Sequence, residues 1–386
     1  MKNIYIFSAI LLLAMTGCGG NKQSDNEFIT VDVTASYPKK ELILQDFMDV
    51  EYIPLETGGE FYCQGVVKAI GKEIMLVTNT TRDGDIFVFD RNGKGLRKIN
   101  RLGRGGEEYT SYFEIILDED NGEMFVNDIS ANRIMVYDLY GKFKRSIRYN
   151  EGIRYQYIYN FDRENLICDD SSFRVDWETP DKSPFIIISK QDGSIVKNIQ
   201  ISYKQKKTAI ITRQIEVNGN SMSVGTGYRY FPIIPYLDSW ILTEPSSDTL
   251  FRFLPDYSMV PFIVRTPSVQ SMNPEVFLFP RILTDRYYLM ESVKKESEFS
   301  MINLVYDRQE KTIYEYTLHN DDYSNKKTVD MIQKNTNDGI IFWQKIEADD
   351  LVESYEKGEL KGRLKEIAAE VEEESNPVIM LVKYKE

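Results

Sequence analysis

A nine-residue unit that occurs twice constrains this chain more than anything else in it. Ile86 to Lys94 reads IFVFDRNGK and Ile134 to Lys142 reads IMVYDLYGK. Asp90 and Asp138 hold the same place in the two copies, so one repeat covers roughly 50 residues. Within each copy the side chains alternate, Phe87 with Phe89 and Met135 with Tyr137, which is the period of a strand. Asn92-Gly93 then supplies the positive φ of a tight hairpin turn. A unit of this size cannot bury its own faces, so the copies must stack on one another.

Each copy has strands around it. Lys72 to Asn79 (KEIMLVTN) and Glu114 to Asp128 (EIILDEDNGEMFVND) precede the two copies, and Leu96 to Ile99 and Phe143 to Ile147 follow them. About four strands per repeat is the content of a propeller blade. Weaker copies stand at Phe185 to Gly193 (FIIISKQDG), Asp248 to Leu254 (DTLFRFL) and Asn303 to Lys311 (NLVYDRQEK). A last unit begins with Gly339 to Gln344 (GIIFWQ) and ends with Pro377 to Tyr384 (PVIMLVKY). The fold expected is therefore all-β, a six-bladed β-propeller over residues 28–386, with less regular third and fourth repeats. Val50 to Leu55 (VEYIPL) is an extended segment with no partner near it, and its predicted place is beside the last blade. Such closure hides two open sheet edges. Ala348 to Ser375 breaks the β pattern, with Leu360, Leu364, Ile367 and Val371 at helical spacing. It predicts an amphipathic helix inserted in the last blade against the propeller rim, shortened or bent at Gly358 and Gly362.

The amino end carries an address. Lys2, an apolar run from Ile4 to Met15, and Met15-Thr16-Gly17-Cys18 follow the grammar of a secretory leader. The run is too short to span a bilayer, which needs about 20 apolar residues. The Met15 to Cys18 ending resembles the bacterial lipobox, and that resemblance implies a signal peptide over residues 1–17 and a diacylglycerol on Cys18. Residues 18–27 then form a polar, flexible tether. Gly19 is not the Asp that retains many bacterial lipoproteins at the inner membrane, so the outer membrane is the expected location, with its periplasmic and surface faces both open.

Charge narrows the partners. A net charge of −13, with acidic residues scattered along the chain, argues against nucleic acid and reads as a solvated surface. With Cys18 lipidated only Cys63 and Cys168 remain, so there is no disulfide framework and two free thiols are expected.

Taken together, VEYIPLET (Val50 to Thr57), the two IxVxDxxGK units, LGRGGEEY (Leu102 to Tyr109), SSDTLFRF (Ser246 to Phe253) and NPVIMLVKY (Asn376 to Tyr384) resemble the six-bladed β-propeller lipoproteins of bacterial envelopes, akin in shape to NHL and TolB-type propellers. The resemblance covers nearly the whole mature chain and implies a fold more than an activity.

No motif identifies a reaction. Leu102 to Glu107 lacks the Lys-Ser/Thr ending of a phosphate loop and is expected to be an inter-blade crossing, its glycines at positive φ and Glu107 or Glu108 accepting backbone hydrogen bonds. Asp118, Asp120 and Asn121 precede Gly122 one position too early for a calcium loop, which leaves a hairpin turn. The carboxylate pairs Asp83/Asp85, Asp169/Asp170, Asp321/Asp322 and Asp349/Asp350 are read as turns. His319 is the sole histidine, expected in a solvated loop, so no zinc site of several histidines exists. Tyr228, Tyr230, Phe231, Tyr236 and Trp240 form an aromatic cluster suited to strand packing or to a sugar or peptide platform, with Pro232 and Pro235 marking an edge. The expected function is a non-catalytic, lipid-anchored binding or interaction module for an envelope protein, peptide or glycan. It has no catalytic residue, metal ligand or cofactor assigned, and its ligand-binding residues are not assigned either. The alternative is a calcium-dependent lactonase/esterase-like propeller hydrolase, whose Glu, Asp and Asn ligands need no histidine.

Overall fold

A computed structural model of the protein describes residues 28–81, 83–174, 183–217, 220–330 and 340–385. The leader and tether assigned from the sequence lie outside the described residues. The chain opens with β1 (Ile29–Asp32), β2 (Lys39–Ile43), a one-turn helix α1 (Leu44–Phe47) and β3 (Met48–Pro54). Blade 1 follows as β4 (Val66–Ile70), β5 (Ile74–Thr78), β6 (Asp85–Asp90) and β7 (Gly95–Asn100). Blade 2 is β8 (Glu114–Asp118), β9 (Glu123–Asp128), β10 (Arg133–Asp138) and β11 (Phe143–Arg148). Blade 3 is β12 (Tyr155–Asn160), β13 (Asn165–Asp170), β14 (Phe185–Ser189) and β15 (Ile195–Ile199). A separate hairpin, β16 (Ile210–Val217) and β17 (Asn220–Gly227), comes next. Blade 4 is β18 (Ile233–Tyr236), β19 (Ser239–Leu242), β20 (Thr249–Phe253) and β21 (Met259–Thr266). Blade 5 is β22 (Val276–Leu283), β23 (Tyr287–Lys295), β24 (Phe299–Asp307) and β25 (Thr312–His319). Blade 6 joins β26 (Ile340–Ile346) and β27 (Val378–Tyr384) to β3. The fold is thus a six-bladed β-propeller, as the repeats required.

The amino-terminal ribbon fastens the ring. β1 adds in parallel to β21, β2 adds in parallel to β25, and β3 pairs antiparallel with β27 from Met48 opposite Tyr384 to Pro54 opposite Val378. Three successive blades thereby have their outer edges covered by one continuous segment, which removes sites for edge-to-edge association. The segment VEYIPL lies where its lack of a local partner demanded. First strands of neighbouring blades meet, β26 with β4, β4 with β8 and β8 with β12, and so line a central channel.

Alternation along each strand sorts side chains between two neighbours. On β6, Ile86 and Val88 enter the core shared with blade 2, whereas Phe87 and Phe89 enter the core shared with blade 6. On β27, Val378, Met380 and Val382 face blade 5 while Ile379 and Leu381 face blade 1. Both faces being buried explains why these strands read as continuous apolar runs. Each such side chain contributes about 1.5–3 kcal/mol on burial.

The repeated Asp and Gly have distinct jobs. Asp90 Oδ1 accepts from the amides of Asn92 and Lys94 at 2.8 and 2.9 Å, and Asp138 Oδ1 accepts from those of Tyr140 and Lys142 at 2.9 Å each. Gly93, Gly141 and Gly193 all sit at positive φ, at 83°, 83° and 76°. A Cβ on them would fall 2.1 Å from Pro54 O, 2.6 Å from Ile99 Cγ2 and 2.3 Å from Ile147 Cγ2. Each turn glycine therefore abuts the outer strand of the preceding blade, and no larger residue fits there. Blade 5 places Lys311 at the corresponding turn with φ 51°.

The predicted helix is two helices, α2 (Ala348–Glu356) and α3 (Gly362–Ala368). Gly358, just past α2, and Gly362, the first residue of α3, stand at φ 68° and 53°, which breaks the helix in two. Leu351, Leu364, Ile367 and Ala368 are buried against Leu42, Leu44, Met48 and Tyr52, so the insertion does seat on the rim of the propeller. Among the described residues no helix is long and apolar enough to cross a membrane.

Candidate functional site: the two mouths of the channel

Each first strand runs in the same sense, so the channel has an upper mouth where those strands begin and a lower mouth where they end. Lys68 of β4 stands at the waist and lines both cavities. It occupies a bulge, since β4 slips register against β5 between Val67 and Ala69. The inner strands β12 and β22 slip likewise, around Gln156-Tyr157 and Arg281. Bulges re-aim side chains, and here they turn a polar residue out of an otherwise apolar strand. Asp169 Oδ1 satisfies the amide of Tyr157 that the bulge frees, at 2.5 Å.

The lower mouth is a cleft of about 610 Å³ between the turns of blades 1, 2 and 3. Its charges are largely committed to one another. Lys190 Nζ, with a side chain 6% exposed, pairs with Asp118 at 2.6 Å and donates to Asp162 O at 2.7 Å. Arg145 grips Glu123 through two 2.7 Å bonds and donates to Lys190 O. Glu119 accepts from the amides of Lys72 and Ile74 at 2.5 and 3.0 Å, closing the β4–β5 turn. Lys72 in turn reaches Asp120 at 3.2 Å. The exposed Arg163 guanidinium and the Oδ1 of Asn160, a buried acceptor without a partner, are what remain. Burial opposes the charge on Glu123, yet the hydrogen bonds from Arg145 and Lys144 outweigh it and hold its pKa below the usual glutamate value.

The upper mouth is a chamber of about 470 Å³. Its wall is aromatic: Tyr112 and Phe113 before β8, Tyr157 of β12, Tyr228, Tyr230 and Phe231 before β18, and Trp343 of β26. Phe113 meets Tyr157 edge-on at 6.1 Å, and Tyr157 meets Phe231 at 5.5 Å, so the rings of three blades support one another. Tyr230 stacks on Phe279 at 4.4 Å, behind the wall. The polar groups are Lys68, Glu114, Gln156 and the exposed Arg229, whose guanidinium lies 5.8 Å from the centre of the Phe231 ring. Tyr228 is pinned from behind by Arg281, which donates to its hydroxyl at 2.7 Å and to Glu291 at 2.8 Å. Burial foremost, then proximity to Glu291, raises the Tyr228 phenol, and burial also raises the Asp330 carboxyl nearby.

The structure divides the aromatic cluster read from the sequence. Tyr228, Tyr230 and Phe231 line the chamber, Phe231 also packing into the core of blades 3 to 5, whereas Tyr236 and Trp240 belong to that core alone. Pro235 does lie on an edge strand, β18, which pairs with β19 alone. The Gly-rich segment Leu102 to Tyr109 is an inter-blade crossing, with Glu108 accepting from Gly105 N at 2.7 Å. Its glycines are not at positive φ; a Cβ on Gly103 would instead fall 2.0 Å from the Glu108 carboxylate. Asp118 to Gly122 is a hairpin turn, with Gly122 at φ 62°. Asp169 and Asp170 lie on β13 instead of in a turn, because their carboxylates hold neighbouring amides. Asp349 and Asp350 form the first turn of α2, where a negative charge suits the helix amino end. His319 is no solvated loop residue: it ends β25, is 9% exposed, and bonds through Nδ1 to Lys326 O at 2.9 Å.

Cys63 and Cys168 are free thiols. Burial pushes Cys63 up to about 11, so it holds little thiolate at neutral pH. Among the described residues no three His, Cys, Asp or Glu side chains are placed to hold a metal ion. The bulged channel residues Lys68 and Arg281 escaped sequence reasoning, although a signal existed: each is the lone cation in an apolar strand, VVKAI and VFLFPRIL.

Among solved structures the chain is similar to a putative exported protein from Bacteroides fragilis, at 13% identity with a TM-score of 0.58, covering 90% of this chain and 100% of that one. It is also similar to a member of the DUF4221 family from Bacteroides vulgatus, at 12% identity with a TM-score of 0.41, covering 88% of this chain and 97% of that one. At such identities the first likeness concerns the fold alone. No curated protein matches the sequence. The family described as a domain of unknown function, DUF4934, matches residues 28–383, and the chain belongs to that family.

Proposed function

We propose that this protein is exported, held on the cell envelope by a lipid on Cys18, and acts as a non-catalytic binding module whose ligand enters the upper mouth of its propeller. The aromatic chamber carries this reading, because four blades contribute rigid rings and a few convergent polar groups to one concavity of ligand size. Export is supported by the leader pattern of residues 1–17 and by the likeness to a putative exported protein. Gly19 in place of a retaining Asp supports an outer-membrane location, with its periplasmic and surface faces both open, and the lipobox-like ending at Cys18 supports the lipid anchor.

The direction of β1 adds a geometric reason. It runs parallel to β21, the fourth strand of an antiparallel blade, and so travels from the lower side to the upper side. β1 therefore begins on the lower side, which supports an anchor placed there. An anchor there presents the upper mouth to solvent.

Metabolic labelling with radioactive palmitate, followed by membrane fractionation, tests the anchor. The wild-type chain is expected to carry label and sediment with membranes, and Cys18→Ala to lose both. Equal labelling and sedimentation of the variant would overturn the lipid assignment.

A further inference from the structure

We propose that the upper chamber is a saccharide site with a preference for carboxylated, uronic-acid-type sugars; this rests on the binding-module reading and gives it a ligand class. A pyranose presents an apolar C–H face and an edge of hydroxyls, so its site needs flat apolar walls beside both donors and acceptors. Phe113, Tyr157 and Phe231 supply the walls, already locked by edge-on contacts at 6.1 and 5.5 Å. A preformed wall spares the cost of ordering side chains on binding. Lys68, which also donates to Phe113 O at 3.2 Å, and Gln156 line the same cavity of about 470 Å³ with donors, and Glu114 and Gln156 line it with acceptors, all three being also engaged within the protein.

Arg229 sets the charge preference. Arg229 is exposed at the rim with its guanidinium 5.8 Å from the centre of the Phe231 ring, and no carboxylate among the described residues forms an ion pair with it. An exposed guanidinium beside an aromatic ring suits a planar carboxylate, which it can grip through two parallel bonds. An extended peptide fits less well. Strand addition requires an uninterrupted ladder of amides and carbonyls, and the bulges at Lys68 and at Gln156-Tyr157 interrupt the channel edges of β4 and β12.

Trp343 makes the proposal measurable, because it lines the chamber while Trp240 is buried in the core of blades 3 to 5. The detergent-solubilised full-length protein is titrated with oligomers of polygalacturonate, alginate and hyaluronan, and with neutral galacto- and gluco-oligosaccharides, while tryptophan emission is followed. At least one acidic oligomer is expected to give a saturable change that Trp240→Phe retains and Trp343→Phe loses. Arg229→Gln should weaken that binding about tenfold or more, and added salt should weaken it in the wild type. Neutral oligomers binding as tightly as acidic ones, or an Arg229→Gln variant binding unchanged, would overturn the charge preference. If no saccharide in the panel gives a saturable change, the saccharide assignment falls. A pool of short peptides then separates the two readings: a Trp343 response to peptides leaves the binding module standing, and silence to both classes removes it as well.

Discussion

The two mouths of the channel are built from the same inner strands yet differ in what lines them: ion-paired turns below, aromatic rings and an exposed cation above. At the lower mouth Lys190 is matched to Asp118, Arg145 to Glu123 and Glu119 to backbone amides, so most charges there hold turns of neighbouring blades in place. At the upper mouth the walls are aromatic and the rim cation Arg229 faces solvent over Phe231. The larger cavity is thus the less suitable one for a ligand, because an incoming polar group would have to compete with bonds already made. Size alone does not choose between them; the aromatic lining and the exposed Arg229 of the upper mouth do.

The sharpest way to break this contrast is at Lys190. Lys190→Ala leaves Asp118 buried without its cation and is expected to cost about 3 kcal/mol or more, read as a lowered midpoint in urea unfolding. Saccharide binding at the upper mouth should be unchanged; a stable variant would show that the lower network does not hold the blades together. Glu119→Gln keeps the shape of the side chain but removes its charge from the amides of Lys72, Glu73 and Ile74. A loss of about 1–2 kcal/mol is expected on the same scale.

Acid should also loosen the lower mouth. Because the folded pKa of Glu123 is depressed, its contribution is complete above the unfolded value of about 4.3 and is lost as pH falls through the lower folded value. Thermal midpoints measured from pH 7 to pH 3 should fall along a limb that is shallower in Glu123→Gln than in the wild type. An identical limb would remove Glu123 from the account. The smallest effect belongs to the upper mouth, where Arg229→Gln should leave stability within about 0.5 kcal/mol. A large loss there would mean that Arg229 is a structural group, contrary to its exposure.

Much of the ring was legible because the blades repeat local rules. Asp90 and Asp138 cap turns by accepting from the amides of Asn92 and Tyr140, and Gly93 and Gly141 supply positive φ, so spacing and turn chemistry sufficed to find the blades. The closing strand was legible by elimination, since Val50 to Leu55 had apolar character and no neighbour to pair with. The parallel additions of β1 and β2 were not, because a strand that joins an outer edge from far away leaves no local signature. The hairpin β16–β17 was missed for a related reason: its strands pair only with each other and carry no repeat motif. His319 was misread because neighbouring Asn320, Asp321 and Asp322 suggested solvent, whereas the imidazole turns inward to bond Lys326 O.

The site itself was half legible. Tyr228, Tyr230 and Phe231 were recognised as a possible platform, yet their partners Phe113, Tyr157 and Trp343 are scattered over the sequence and converge only when the ring closes. Register along an inner strand decides which residue faces the channel, and bulges at Lys68 and Arg281 shift that register in ways that composition does not report.

Hydrogen exchange read by mass spectrometry, on the full-length protein with and without the tightest-binding acidic oligosaccharide, tests the contrast between the mouths most directly. The account predicts slowed exchange at residues 66–68, 112–114, 227–231 and around Trp343, with the lower turns at 118–120 and 160–163 unchanged. Protection confined to those lower turns, or absent from both mouths under saturating ligand, would contradict it.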